Sequence, residues 1–508
     1  MKKQTVLMFP WLGHGHISPF LELAKKLSNT NLFNISLCST PTNLDLVKKT
    51  LRNECVSHSI QLIELNLTPL PDLPPQLHTT NGLPAHLMPT LKQAFDNASP
   101  QFTKIMKGLS PDLLIYDIIQ PWAPLTAANL GIPAVVLITT SAAASMYHFY
   151  LNYNKDQVFP FSKTIFYRNY EYVKVANSSK DKEEDRIMQC VAHSSDIVLV
   201  KSFDEIEGKY AAYLSVLTSK KVVPVGPLVA NPIPADMKQN SVIQWLDTKA
   251  PGSTVFVSFG SEYFLSSVDL QEIAYGLELS NVNFIWVLRF PKGESKVNVS
   301  EALPLGFIER VKNRGLLVEG WAPQAKILKH KSIGGFVSHC GWNSVLEAMK
   351  YGVPIIAMPM HLDQPINARL VVDVGVGVEV VRVAKGLHWR DNVAKVVKHV
   401  VVSMLGQVVR EKAKKLSLDM RTKGDEEIDE LVKELLQLCK TGSSRRGRSY
   451  DLQKTKSEGF PIDNLSEFIH VEEEGKQQEE SIDVRAAKHI IFFYEELKRS
   501  AAADGFAS

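Results

Sequence analysis

The chain has 508 residues, too many for one hydrophobic core, so two large domains or about three smaller ones are expected. Its 45% hydrophobic and 22% charged residues are ordinary for a globular protein, and a net charge of +3 makes no electrostatic case for a nucleic-acid or anionic-membrane partner. Five cysteines (Cys38, Cys55, Cys190, Cys340 and Cys439) are odd in number and lack C-x-x-C spacing, which excludes a disulfide scaffold or a cysteine zinc site and suits a reducing cytosol.

In chain order, the first element is TVLMFPW (5–11), an apolar run after two lysines. It is too short for a signal peptide, contains a proline and leads into Gly-His-Gly-His, so it reads as a buried strand of a parallel sheet. SPFLELAKKLSN (18–29) predicts a helix, and FNISLCST (33–40) a second strand. PDLLIYD (111–117), PAVVLITT (133–140) and SDIVLVKSF (195–203) are further strand-like runs, with a short helix at APLTAANLG (123–131). Alternating strands and helices predict a parallel, doubly wound α/β sheet. The pattern restarts after the proline-rich stretch 222–236, and the domain boundary is set at residue 240. TVFVSFGS (254–261), a helix through 270–280, NFIWVLRF (283–290), LLVEGWA (316–322), PIIAMPM (354–360) and GVGVEVV (375–381) follow, with helical segments up to residue 438. No stretch approaches the roughly 20 apolar residues of a membrane span.

The densest pattern is residues 321–364, WAPQAKILKHKSIGGFVSHCGWNSVLEAMKYGVPIIAMPMHLDQ. IGGFVSH (333–339) reads as a strand, Cys340-Gly341 as a tight turn, and Asn343-Ser344 as the start of a helix that stops at Gly352. A strand, a tight turn and a helix N-terminus make an anion site, because free backbone N–H groups and the helix dipole face the ligand. His339, Asn343 and Ser344 would then surround a diphosphate. Taken alone, an ordinary strand–helix junction capped by Asn or Ser fits the same stretch.

Taken whole, this box resembles the signature of the plant family 1 UDP-glycosyltransferases, a pattern far more specific than a lone glycine-rich turn. The resemblance covers residues 1 to about 440. It implies two Rossmann-like domains facing across a cleft, the GT-B arrangement, with an acceptor-binding domain at 1–240 and a UDP-sugar-binding domain at 241–440. Within the box it implies that Trp321 stacks on uracil beside Ala322, that Gln324 and Glu347 hold the ribose, and that Trp342, Asp363 and Gln364 meet the hexose. Gln364 is associated with glucose in the family. Ser261, after another strand, resembles the family's phosphate-contacting hydroxyl. No D-x-D carboxylate pair occurs, so no metal and no cofactor are expected, UDP-glucose being the donor substrate.

The Gly-His-x-x-Pro turn at 15–19 resembles the one that carries the family's catalytic base, which falls on His16 rather than His14. A sugar hydroxyl is a poor nucleophile, and a histidine of near-neutral pKa can take its proton. Asp117 ends the apolar run 111–117, and strand C-termini line the cleft of an α/β sheet. There it can hold the His16 imidazole and stabilise the imidazolium, whereas Asp112 begins the same run and belongs at the far end.

Two other readings compete. A dinucleotide-binding dehydrogenase is suggested by Gly13-x-Gly15-x-x-Ser18, but the third small position is Ser and histidines intervene. A non-catalytic sugar-nucleotide binder is disfavoured by the joint presence of His16 and Asp117. For the acceptor, residues 73–84 (LPPQLHTTNGLP), with the opening of the chain, look most like the subgroup that adds a sugar to a sugar already on a triterpenoid, flavonoid or apocarotenoid. Direct glucosylation of an aglycone is the alternative. The expected partners are a UDP-sugar donor and a small-molecule glycoside acceptor, bound by a cytoplasmic monomer.

Residues 441–508 match nothing in the family. Residues 441–459 are polar and rich in turn formers, which predicts disorder, and AAKHIIFFYEELKR (486–499) reads as a short marginal helix with an apolar face.

Overall fold

The computed structural model describes residues 2–53, 60–153, 159–171, 182–232, 237–290, 299–382, 389–423 and 426–445. The strands form two parallel sheets. The first contains β1 (Gln4–Phe9), β2 (Phe33–Ser39), β3 (Ile60–Glu64), β4 (Leu113–Tyr116), β5 (Ala134–Ile138), β6 (Ile197–Val200) and β7 (Lys221–Pro224), in the order 3-2-1-4-5-6-7. The second contains β8 (Thr254–Ser258), β9 (Asn283–Leu288), β10 (Gly315–Glu319), β11 (Ile333–Ser338), β12 (Ile355–Ala357) and β13 (Gly377–Glu379), in the order 10-9-8-11-12-13.

Each order runs outward from its first strand and then reverses, as in a doubly wound nucleotide-binding sheet. The reversal puts β1 beside β4 in one sheet and β8 beside β11 in the other. At such a switch point the connections leave to opposite faces and open a crevice at the strand C-termini. This pairing decides where the site is built.

The central strands β1, β4, β5, β8 and β11 are almost wholly buried, because helices cover both faces. Those helices include α1 (His14–Asn29), α2 (Ala142–Tyr153), α3 (Asp204–Thr218), α4 (Met237–Asp247), α5 (Ser267–Ser280), α6 (Gln324–Lys329), α7 (Trp342–Tyr351), α8 (Gln364–Asp373), α9 (Arg390–Val401), α10 (Gln407–Lys423) and α11 (Glu426–Arg445). Glu207 of α3 accepts hydrogen bonds from the Ala142 and Ala143 N–H groups at 3.0 and 2.8 Å, satisfying donors that the start of α2 would leave orphaned.

Two strands escape the sequence patterns. β3 is an edge strand whose alternating IQLIE run is only partly buried, and β7 lies inside the proline-rich stretch, where Pro224 is tolerated at a sheet edge. α1 begins at His14, four residues before the predicted start, so His16 stands in its first turn. The chain's last described helix, α11, returns to the first sheet: Leu431, Leu435 and Cys439 are buried in the cluster of Val6, Met8, Leu113 and Ile115. It runs to Arg445, so residues 441–445 continue a helix, whereas the disorder and marginal helix expected further on fall outside the described residues. No single helix among the described residues is long and apolar enough to cross a membrane.

Candidate active site

The two switch points face each other. From the first sheet come the start of α1, after β1, and Asp117, after β4; from the second come Ser261, after β8, and His339, after β11.

Asp117 is completely buried. Its carboxylate accepts the Trp11 N–H at 3.1 Å and the Ile118 N–H at 2.8 Å. His16 Nδ1 lies 2.9 Å from Asp117 Oδ2 and 3.0 Å from Thr139 Oγ1. A carboxylate can only accept, so Nδ1 carries the proton and Nε2 is left unprotonated as the basic nitrogen. Burial lowers the His16 pKa, but Asp117, through its charge and its hydrogen bond, together with Glu262 and Asp363, raises it above the ordinary histidine value. His14, by contrast, is exposed.

Opposite this pair, α7 opens directly after β11. Cys340 takes the left-handed conformation at φ 65°, and Gly341 is the N-cap with an ordinary negative φ. Gly341 is required by space: a Cβ there would sit 2.6 Å from His339 Nε2, and one on Gly260 would sit 2.7 Å from the same atom. Two glycines thus grip the imidazole edge. Burial pushes the His339 pKa down to about 3, with His361 adding to the shift and the Ser258 backbone opposing it, so the ring is neutral, with its Nε2 edge beside the helix start. Ser344 and Glu347 lie one turn apart on α7. Gln324 Nε2 donates to Glu347 Oε2 at 2.8 Å and to Ser344 Oγ at 3.2 Å, joining three of the expected donor residues in one network. Trp321 presents 60% of its surface to solvent beside buried Ala322, whereas Ser261 is half-buried.

Of the remaining predicted residues, Trp342, Asn343 and Asp363 also serve the contact between the two halves. Trp342 is buried, and its indole N–H donates to the Lys201 carbonyl at 2.7 Å. Asn343 Nδ2 donates to the Gly15 carbonyl at 2.8 Å, while its Oδ1 accepts from Lys201 Nζ. Asp363 accepts from the Thr140 hydroxyl and from Asn367 Nδ2. Gln364 Oε1 accepts the Met360 and His361 N–H groups at 3.0 and 3.1 Å, which leaves its amide NH₂ end for a ligand. Behind them lies a buried ionic group. Arg168 donates to Glu379 at 2.6 and 3.1 Å, and Arg369 donates to Glu379 at 2.7 Å and to Glu171 at 2.6 and 2.8 Å. Two cations alternate with two carboxylates across the halves.

A sequence model of the family described as UDP-glucoronosyl and UDP-glucosyl transferase matches residues 92–417. Mogroside IIIx synthase from Siraitia grosvenorii is 52% identical over 436 residues, covering 84% of this chain and 96% of the relative. The chain belongs to this family. Beta-D-glucosyl crocetin beta-1,6-glucosyltransferase from Gardenia jasminoides is 49% identical over 440 residues, 85% of this chain and 98% of that one. The structure of Phytolacca americana UGT2 complexed with UDP-2fluoro-glucose and pterostilbene is similar at a TM-score of 0.68 and 27% identity, over 88% of this chain and 100% of that one.

Several residues of this glycosyltransferase site carry no sequence motif. Thr139, Thr140 and Lys201 stand just past β5 and β6, where the strand-end rule that picks out Asp117 would also have pointed. Burial lowers the Lys201 pKa to about 7, partly offset by Glu347 and Glu22. Glu262, next to Ser261, reaches back across the cleft to the Thr80 hydroxyl at 2.5 Å. Arg168, Glu171, Arg369 and Glu379 meet only through the fold.

Proposed function

We propose that the chain transfers glucose from UDP-glucose, with inversion and without a metal, to a hydroxyl of a sugar already attached to a plant small molecule. The class we favour is a triterpenoid, flavonoid or apocarotenoid glycoside. The chemical part rests on one observation: the His16 ring is held by Asp117 through Nδ1, and the turn that carries it meets the N-terminus of α7, where Asn343 donates to the Gly15 carbonyl. The acceptor part is supported by the relatives, one of which is named for acting on an already glucosylated crocetin.

The acceptor O–H gives its proton to His16 Nε2. Its oxygen bonds to the anomeric carbon as the bond from that carbon to the diphosphate breaks, and UDP leaves with the electron pair. The imidazolium that forms is stabilised by buried Asp117. A single displacement inverts once, so an α-linked donor yields a β-glucoside.

In this reading the α7 N–H groups, the neutral His339 ring, Asn343, Ser344 and Ser261 hold the diphosphate. Trp321 stacks on the uracil, next to Ala322, with Gln324 and Glu347 on the ribose. Asp363 and the amide end of Gln364 take the hexose. Trp342 supports them by packing, since its ring nitrogen is engaged by Lys201. The helix dipole, the donor groups and buried Lys201 supply positive charge for the leaving diphosphate, consistent with a metal-independent transfer. Cys38, Cys190, Cys340 and Cys439 are buried and in no disulfide among the described residues, which fits a cytosolic protein, and a monomer is sufficient for this site.

The test offers UDP-glucose with a panel of triterpenoid, flavonoid and apocarotenoid aglycones and their monoglucosides, in chelator, and resolves products by mass and linkage. Diglucosides carrying a new β-linkage are expected. Turnover confined to aglycones, or dependent on added manganese, would refute the proposal.

A further inference from the structure

Around His16 one feature lies outside the hydrogen-bond networks of the base and the donor residues. Glu262 stands on the loop after β8, in the second half of the chain, and its Oε1 accepts the hydroxyl proton of Thr80, a buried residue from the first half. The pair meets directly above the turn that carries the base. A Cβ added to Gly13 would lie 3.1 Å from Glu262 Oε1, 3.1 Å from Thr80 Oγ1 and 3.3 Å from His16 Cδ2. Cδ2 is bonded to Nε2, the nitrogen that takes the proton. Glu262 and Thr80 therefore lie across Gly13 from the Cδ2 edge of the imidazole, the edge that ends at Nε2.

The Glu262 residue is exposed, whereas its partner Thr80 is not. Only one of its oxygens is engaged by Thr80, so the carboxylate retains accepting capacity toward the cleft. A sugar acceptor carries further hydroxyls around the attacking one, whereas an aglycone with an isolated phenol or carboxylic acid has none. A carboxylate beside the base is chemically suited to read that second hydroxyl, because carboxylates make strong charge-assisted hydrogen bonds to O–H donors. The Glu262 charge also reaches His16: after burial and Asp117, it is a further contributor to the histidine's pKa, acting with Asp363.

We infer that Glu262, braced by Thr80, is an acceptor-sugar subsite: it binds a second hydroxyl of the acceptor sugar and so selects glycosides over aglycones. The inference rests on the sugar-on-sugar reading above. It makes Glu262 a specificity-determining residue supplied by the half of the chain that otherwise serves the donor.

The experiment measures steady-state constants for wild type, Glu262→Gln and Thr80→Val. The acceptors are the best monoglucoside of the panel, its monodeoxy analogues and its aglycone. For Glu262→Gln, kcat/KM for the monoglucoside should fall by about ten- to a hundredfold, as for a lost hydrogen bond to a charged group, with KM for UDP-glucose unchanged. One deoxy analogue should lose a similar factor with wild type and little more with the variant, because both changes delete the same contact. Thr80→Val should give a smaller loss in the same parameter.

Equal losses from every deoxy analogue in wild type and variant would overturn the subsite and leave Glu262 as a tie between the two halves. A raised KM for UDP-glucose with an unchanged acceptor constant would overturn it by reassigning Glu262 to the donor. If wild type prefers the aglycone, the sugar-on-sugar reading fails and this subsite with it. If wild type prefers the monoglucoside and Glu262→Gln behaves identically, the subsite alone fails.

Discussion

In the proposed mechanism His16 is the base and Asp117 its partner, and their environment gives the pH dependence a sign. A base must be deprotonated to act, so kcat/KM should rise with pH as His16 loses its proton. Burial would move that limb to lower pH, but Asp117, Glu262 and Asp363 outweigh it, so the limb should lie above the ordinary histidine value of 6.5. Asp117→Asn removes the largest of these opposing contributions and should shift the limb downward, with a loss of rate. A pH–rate profile whose acid limb does not move in that variant would refute the coupling. His16→Ala should lower turnover by roughly two to four orders of magnitude while UDP-glucose binding, followed calorimetrically, stays near normal. At the donor wall, Gly341→Ala would press a methyl group into the ring of His339. UDP affinity should weaken without loss of fold, and an unchanged Kd would show that His339 does not need the position it holds.

Elements explain why these residues converge. Parallel strands end on one side of their sheet, and only at β1/β4 and β8/β11 do neighbouring connections diverge, so the loops that follow those strands own the crevices. Much of this was legible in the sequence. The buried runs at 5–11, 111–117, 254–261 and 333–339 are apolar because both faces are covered, and the candidate site residues stand at or just past the end of each run. What the sequence concealed has physical causes. β3 is half-exposed and carries no continuous apolar signal. Thr139 and Lys201 belong to no motif, and their roles arise from partners on distant segments. Helix α11 lies late in the chain beside elements of the second sheet, yet buries Leu431 and Leu435 on the first, a choice that periodicity cannot specify. Leu431→Ala or Leu435→Ala should cost about 2–5 kcal/mol in chemical denaturation, the usual range for a deleted core leucine. A change within about 0.5 kcal/mol, typical of surface sites, would mean that the helix is not part of the first domain's core.

At the scale of the molecule, the cleft is closed by contacts between the two halves, each donated by a side chain of one half to a side chain or backbone carbonyl of the other. Asn343 to Gly15, Trp342 to Lys201, Ser141 to Asn367 and Tyr167 to Leu362 are ordinary hydrogen bonds. The alternating group of Arg168, Glu379, Arg369 and Glu171 is different, because it removes charges from water. Deleting one member strands its partners, so Glu379→Ala should destabilise the fold by about 3–5 kcal/mol, and added salt should do little to mimic it. A denaturation midpoint equal to that of wild type would show the group to be hydrated in solution. These contacts hold Asp363 and Gln364, at the start of α8, against the strand ends that present His16. A donor hexose and an acceptor hydroxyl can then meet in one geometry.

The most direct test is a single competition. Wild-type protein receives UDP-glucose with equimolar aglycone and its monoglucoside, and the product is analysed by mass and by the coupling constant of its new anomeric proton. The account predicts a diglucoside with a β-linkage. A product glucosylated only on the aglycone, or one with an α-linkage, would contradict it.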